Sequence, residues 1–149
     1  MIENIDKADI RTLLGEAVTS PRLRSHRLLH DGPDDATQRL VIAAAKGTYI
    51  RPHIHRQQWE MLILLSGSGT VLQFSSSGEI EQVFDMSDGG TTLVQIPQGT
   101  FHGFAVTGDN AVVMEVKQGP YQPNEFASWA PEEGSAGVAD FMARTLRAP

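Results

Sequence analysis

The chain has 149 residues, of which 40% are hydrophobic and 20% charged, a composition ordinary for one globular domain. Its formal net charge of −6 argues against a nucleic-acid-binding protein, and no apolar stretch approaches the roughly 20 residues of a membrane span. There are no cysteines, which excludes disulfides and thiolate zinc sites, and the N-terminus does not resemble a secretory signal. We therefore expect a cytoplasmic protein that binds neither nucleic acid nor membranes.

Residues 1–20 are predicted to form an N-terminal helix. Asp6 is suited to cap its first turn, and Ser20-Pro21 is suited to end it. Four apolar residues recur at helical spacing and are expected to form the buried face: Ile10, Leu13, Leu14 and Val18.

Residues 21–120 have the pattern of a β-barrel core. Short runs rich in Val, Ile, Leu and Thr alternate with turn-forming clusters such as SGSG and SDGG. Residues 121–149 are predicted to form a C-terminal coil laid over the barrel, followed by an amphipathic helix. The apolar face of that helix contains Val138, Phe141, Met142 and Leu146. No linker or repeat divides the chain, so a single all-β domain with two terminal helices is expected.

The centre of the sequence contains a group of residues typical of metal ligands. His53 and His55 are two positions apart, so in a strand their side chains project to the same side. Glu60 begins an apolar run, where a carboxylate is costly to bury without a partner. About 40 residues later, the segment IPQGTFHGFAV carries His102 on a second predicted strand.

Together these four residues predict a site for one divalent metal ion. Three imidazoles and one carboxylate suit Fe, Mn, Zn or Ni, and the sequence does not select among them. Four protein ligands leave one or two coordination positions for water or substrate, as in catalytic metal sites. The alternative is that His53 and His55 are merely a packed or surface pair.

These segments resemble the two motifs of the cupin superfamily. The spacing from Gly47 through His53-Ile54-His55 and Glu60 to Gly67 reproduces the first motif, and Pro97 to His102 resembles the second. The second motif departs from the pattern at Gly90 and Val106, neither of which is a ligand position. The resemblance implies a cupin jelly-roll β-barrel whose metal is held inside by His53, His55, Glu60 and His102.

A narrower resemblance extends over most of the chain. The segments SPRLRSHRLLH, QRLVIAAAKGTYIRPHIH and VMEVKQGPYQP are similar to the WbuC-type cupin metalloproteins. That family is associated with gene clusters for surface-polysaccharide (O-antigen) biosynthesis. The resemblance implies a small-molecule substrate, such as a sugar or nucleotide-sugar, and allows a homodimer.

Two residues upstream of the ligands are candidates for substrate chemistry. Tyr49 and Arg51 have the same parity as His53 and His55, so we expect them to face the barrel interior. Arg51 would bind a phosphate or carboxylate, and Tyr49 would stack on a substrate or transfer a proton. If the strand bends, Arg51 instead reaches solvent.

The segment RSHRLLH offers a second pair of histidines. His26 and His30 alternate with Leu28 on one strand face and are candidate proton-transfer residues, and they could bind an anion together with Arg22 or Arg24. The alternative is an edge strand with solvated arginines.

The strand VMEVK, expected to be the last of the barrel, presents two different faces. Val112, Met114 and Val116 form an apolar face that we expect to meet the core. Glu115 and Lys117 lie on the other face. The WbuC-type resemblance nevertheless makes these two residues candidates for substrate binding.

Three functional hypotheses follow from these observations. The leading one is a metal-dependent isomerase or epimerase acting on a sugar or nucleotide-sugar. An iron-dependent dioxygenase or oxidase would use the same ligands, and a non-enzymatic metal-dependent binding protein would need no reaction at all.

Overall fold

The computed structural model describes residues 2–147 as an antiparallel β-structure with a helix near each end. Helix α1 (Lys7–Thr19) precedes the strands and helix α2 (Val138–Thr145) follows them. The strands are β1 (Arg24–Leu28), β2 (Thr37–Ala45), β3 (His53–Ile54), β4 (Glu60–Phe74), β5 (Ile80–Met86), β6 (Leu93–Ile96), β7 (Phe101–Gln118) and β8 (Glu125–Phe126). Within the described part of the chain, no helix is long and apolar enough to cross a membrane.

Two long strands, β4 and β7, form the centre of the barrel. They pair over almost their whole lengths, from Glu60 opposite Lys117 to Phe74 opposite Phe101. Strand β2 extends the sheet on the other edge of β7, and β1 pairs with β2. The register of β4 and β7 shifts near Gly67, whose φ is +76°. A side chain there would also clash with the backbone carbonyl of Asn110, so only glycine fits this bulge.

Helix α1 begins at a capping box, as the sequence predicted for Asp6. The Asp6 carboxylate accepts hydrogen bonds from the backbone N–H groups of Ala8 and Asp9, and the Asp9 carboxylate accepts one in return. Leu13 and Ala17 are fully buried against the sheet.

The predicted buried face of α1 is wrong at one position. The side chain of Val18 is 63% exposed, and Ala17 is buried instead. At about 100° per residue, Ala17 lies close to the direction of Ile10 and Leu13, whereas Val18 points well to one side.

The sheet has apolar residues on both faces, and this overturns the expected orientation of β7. Val112 packs beneath α1 with Val41 and Ala43, outside the barrel. Its neighbour Val113 belongs to the core inside the barrel. Because strand residues alternate, Glu115 and Lys117 also face inward, and the apolar set that begins at Val112 does not.

Helix α2 packs through Phe141 of its predicted apolar face, whereas Leu146 follows the helix and is 43% exposed. Phe141 contacts Trp129 and Tyr49, with ring centroids 6.3 and 6.0 Å apart. Trp129 in turn packs against Phe74 of β4, and so connects the C-terminal segment to the barrel wall.

Candidate metal centre

The four predicted ligands converge in one buried cluster. His53 lies on β3 directly opposite His102 on β7, and His55 follows β3. A tight reversal over residues 56–59 returns the chain to Glu60, the first residue of β4. All four side chains are buried, and one ligand atom from each lies within 4.8 Å of the other three.

Hydrogen bonds on the outer side of the cluster orient two of the imidazoles. His53 Nδ1 donates to the carbonyl of Arg51, and His102 Nδ1 donates to that of Thr100, both at 2.9 Å. A carbonyl oxygen only accepts, so the hydrogen in each ring is on Nδ1 and the Nε2 lone pair is free. Such partners are typical of histidines that ligate a metal.

The inner side of the cluster contains a polar atom without a protein partner. Glu60 Oε2 lies 2.9 Å from His55 Nε2 but 3.7 Å from His102 Nε2. His102 Nε2 is buried and makes no hydrogen bond. Coordination to a cation would use this lone pair and remove the cost of burying it, so the residues fit a metal ion.

The electrostatics of the cluster suit a cation. Burial lowers the pKa of His53 to about 3, so this imidazole is neutral and available as a ligand. Burial also raises the pKa of Glu60, but the His102 and His55 imidazoles beside the carboxylate outweigh it and hold the pKa well below its ordinary value. For His102, burial lowers the pKa, yet the negative charge of the nearby Glu60 carboxylate leaves it raised overall.

The cluster opens into a cavity of about 460 Å³ inside the barrel. His53, Glu60 and His102 line its wall, whereas His55 is buried and does not line it. An adjoining groove of about 380 Å³ extends toward β1 and β2. The cavity and the groove share seven lining residues: Arg24, His26, Leu40, Ile42, Glu115, Lys117 and Tyr121.

A buried ion pair lies within this cavity. Lys117 Nζ is 3.4 Å from Glu115 Oε1, and the two side chains are only 8% and 15% exposed. Burial, then the negative charge of Glu60, raise the pKa of Glu115 to about 7, while Lys117 acts in the opposite direction. Glu115 is therefore a carboxyl group that titrates near neutral pH.

Comparison with known proteins gives the family of this chain. The model of a family described as Domain of unknown function (DUF6016) matches residues 5–86, more than half of the chain. The chain belongs to this family. The DUF6016 match includes His53, His55 and Glu60 and ends before His102. A comparison with curated proteins finds no match.

Solved structures with a similar fold are cupins, which confirms the predicted jelly-roll β-barrel. A cupin 2 domain-containing protein from Halorhodospira halophila has a TM-score of 0.59 at 13% identity, over 85% of this chain and 83% of that one. A cupin 2 conserved barrel domain protein from Rhodopseudomonas palustris has a TM-score of 0.56 at 20% identity, over 81% and 73%.

A third similar structure is the capsular polysaccharide assembling protein CapF from Staphylococcus aureus. Its TM-score is 0.59 at 23% identity over 70% of this chain. The aligned region spans only 30% of CapF, less than a third of that protein's length. At this identity the similarity shows the cupin fold alone.

The structure does not bring Tyr49 into the cavity, contrary to the predicted orientation. Its hydroxyl donates to the carbonyl of Pro131 at 2.9 Å, and its ring packs on Phe141. Burial raises the pKa of Tyr49 to about 12, which does not suit proton transfer near neutral pH. The parity argument fails for Tyr49 because residues 46–52 form a turn and irregular chain, not a regular strand.

Arg51 and Arg24 both line the cavity, and each is fixed by protein contacts. Arg51 donates to the carbonyl of Ala127 at 3.2 Å and lies over the ring of Phe126, 5.3 Å from its centroid. Arg24 forms an ion pair with Glu133 at 2.9 Å. Both guanidinium groups are thus held in place at the cavity wall.

The two upstream histidines line different spaces beside the candidate ligand cluster. His26 is exposed on β1 and lines both the cavity and the groove. His30 lines only the groove, and its Nδ1 is 2.9 Å from the backbone nitrogen of Arg39. Of the two, only His26 lines the cavity into which the candidate ligand cluster opens.

The sequence analysis missed the cavity residues that follow β7. The segment after Gln118 contributes Tyr121, Phe126 and Glu133 to the cavity wall. Strand β8 pairs with β3, which brings this segment beside His53. The aromatic residues in a proline-containing coil were the available signal, but nothing in the pattern specified their position.

Proposed function

We propose that this chain is a metal-dependent enzyme that isomerises or epimerises a sugar or nucleotide-sugar. The observation that carries the proposal is the shared cavity: three of the four candidate ligands line the same space as a buried Lys–Glu pair and several arginines. A volume of about 460 Å³ is in the usual range of small-molecule sites. An oxygen-rich substrate would find both a metal site and cationic donors there.

The metal would be held by His53, His55, Glu60 and His102. A divalent ion bound by this set supplies Lewis acidity, which polarises a carbonyl or hydroxyl oxygen of the substrate. The outer hydrogen bonds of His53 and His102 fix the two rings before any ligand binds.

Other side chains would bind the substrate and move its protons. Glu115, with a pKa raised to about 7, suits a group that accepts and returns a proton near neutral pH. Lys117 and Arg51 provide donors for hydroxyl or phosphate oxygens. His26 is a second candidate for proton transfer, at the exposed part of the wall.

The pathway context rests on similarity. The sequence resembles WbuC-type cupins of surface-polysaccharide biosynthesis, and one protein of similar fold is described as assembling capsular polysaccharide. We propose a role in surface-polysaccharide (O-antigen) biosynthesis on this basis.

The test is to incubate metal-loaded protein with a panel of sugar phosphates and nucleotide-sugars in D₂O. Isomerisation or epimerisation by proton transfer is expected to introduce deuterium at a substrate carbon, which NMR detects. The variant E60Q, which lacks one ligand, is the negative control. An E79Q variant, changed at an exposed glutamate, is the charge-matched positive control.

Two results would contradict the proposal. Oxygen uptake by iron-loaded protein, with no anaerobic turnover, would assign the same ligands to a dioxygenase or oxidase. Binding of a sugar ligand without turnover under any metal would indicate a non-enzymatic binding protein.

A further inference from the structure

One carboxylate at the exposed rim of the cavity is bound by two arginines. Glu133 accepts hydrogen bonds from Arg22, at 2.7 Å from Nη2 and 3.1 Å from Nε. It also accepts from Arg24, at 2.9 Å from Nη1 and 3.2 Å from Nη2. Each carboxylate oxygen therefore receives hydrogen bonds from both guanidinium groups, a geometry suited to any small oxyanion.

Arg24 is held in position by contacts that do not involve Glu133. Its Nη1 also donates to the carbonyl of Tyr49 at 3.0 Å and to the Thr48 hydroxyl at 3.3 Å. Thr48 is itself buried, and the Arg24 side chain is only 16% exposed. The guanidinium would keep this position if the carboxylate left, so part of the anion site is built into the barrel.

Glu133, in contrast, lies on a segment with few packing contacts. Every residue from 132 to 137 is exposed. Glu133 and Gly134, the latter with φ of +81°, are the central residues of a turn closed by a hydrogen bond from the Ser135 N–H to the Glu132 carbonyl. A change of side-chain rotamer or of this turn would release the carboxylate without disturbing the barrel core.

The charges of the cavity favour an anionic ligand. The whole chain has a net charge of −6, yet four of its cationic side chains line the cavity: Arg22, Arg24, Arg51 and Lys117. The carboxylates that line it are Glu60, Glu115 and Glu133. Without Glu133 at the rim, and with Glu60 bound to a cation, this space has an excess of positive charge.

We propose that Arg22 and Arg24 form a binding site for a phosphoryl group of the substrate, and that Glu133 is an internal ligand that the phosphoryl group displaces. The site takes the charged part of a sugar phosphate or nucleotide-sugar at the rim, with the sugar directed toward the metal cluster. This inference rests on the proposed function for the identity of the substrate.

The internal ligand lowers the apparent affinity for anions. If Glu133 occupies the arginines for about nine-tenths of the time, the apparent affinity for phosphate falls about tenfold. Removing the carboxylate restores the full affinity, whereas removing an arginine abolishes it. The two kinds of variant therefore have opposite effects.

The experiment measures binding of inorganic phosphate by calorimetry to the full chain after removal of metal by chelation and dialysis. E133Q is expected to bind phosphate about tenfold more tightly than the unmodified chain. E132Q is the matched control, because Glu132 is the exposed neighbour and its loss changes the net charge equally. Adding R22Q or R24Q to E133Q is expected to remove the gain, and melting temperatures verify that each variant is folded.

Several outcomes would overturn the proposal. If E133Q binds phosphate no better than E132Q and melts at a lower temperature, Glu133 only anchors the C-terminal segment. If E133Q binds acetate more tightly than the unmodified chain does but binds phosphate no more tightly, a phosphoryl site is excluded. The binding measurement uses metal-free protein, so a negative result rejects the phosphoryl site without rejecting the metal-dependent reaction. Conversely, absence of turnover in the enzyme assay would not reject the phosphoryl site.

Discussion

Glu60 and Lys117 lie directly opposite each other on β4 and β7, and both are buried in the wall of the same cavity. A lysine is thereby fixed beside the one carboxylate of the candidate metal cluster. Its ion-pair partner is Glu115, 3.4 Å away on the same strand. Buried charges of this kind are tolerated only when they are paired, so the three residues form one interdependent group.

Breaking the Lys117–Glu115 pair is expected to destabilise the protein. In K117M, Glu115 loses its partner, and we expect the free energy of unfolding at pH 8 to fall by roughly 1–3 kcal/mol. The loss is smaller than for a residue that stays charged, because Glu115 can take up a proton and become neutral. Denaturant unfolding measures the change. The double variant K117M/E115Q should recover part of the loss, and a double variant as unstable as the sum of both single ones would show that the residues do not interact.

Loss of one candidate ligand is expected to release the metal. In E60Q the only carboxylate of the cluster becomes a neutral amide, and we expect the metal affinity to fall by more than the roughly 10–100-fold seen when supporting residues are lost. Elemental analysis of protein purified without added metal is the measurement. E79Q should retain the metal content of the unmodified chain, and a metal content of E60Q equal to that of E79Q would contradict the ligand assignment.

The pKa of Glu115 predicts a pH dependence of stability in the metal-depleted protein. Its folded-state pKa is raised from 4.5 to about 7, so between these values the folded state retains a proton that the unfolded state has lost. The stability that Glu115 contributes is therefore greatest near pH 4.5 and is lost as the pH rises toward 7, by at most about 1.4 kcal/mol per pH unit.

The comparison that isolates Glu115 is between the unmodified chain and E115Q. Between pH 5 and 7, the free energy of unfolding of the unmodified chain should fall relative to that of E115Q. Above pH 7 the difference between the two should stay constant. A difference that stays constant, or that moves the other way, would show that Glu115 titrates normally.

Two apolar residues of α1, Leu13 and Val18, should respond differently to truncation. Leu13 is 2% exposed beneath the helix, and L13A is expected to lower the free energy of unfolding by roughly 2–5 kcal/mol. Val18 is 63% exposed, and V18A should change it by less than about 0.5 kcal/mol. Urea denaturation measures both, and equal losses would contradict the packing of α1 against the sheet.

The sequence by itself determined the candidate ligands and the fold class. His53, His55 and Glu60 are close in the chain, so the period of a strand and one tight reversal bring them together. His102 could be added because its segment carries its own turn residues and resembles the second cupin motif. Asp6 was likewise predictable, because a capping box is local.

Only the tertiary structure decided which faces turn inward and what surrounds the metal cluster. Alternation along a strand places Glu115 and Lys117 on one face of β7 and Val112 and Met114 on the other. It does not say which face points into the barrel, because apolar residues pack against both faces of β7. Glu133 lies 111 positions from Arg22, and no local pattern specifies such a contact. The period of a strand is a property of neighbouring residues, whereas a cavity wall is assembled from segments that meet only after folding.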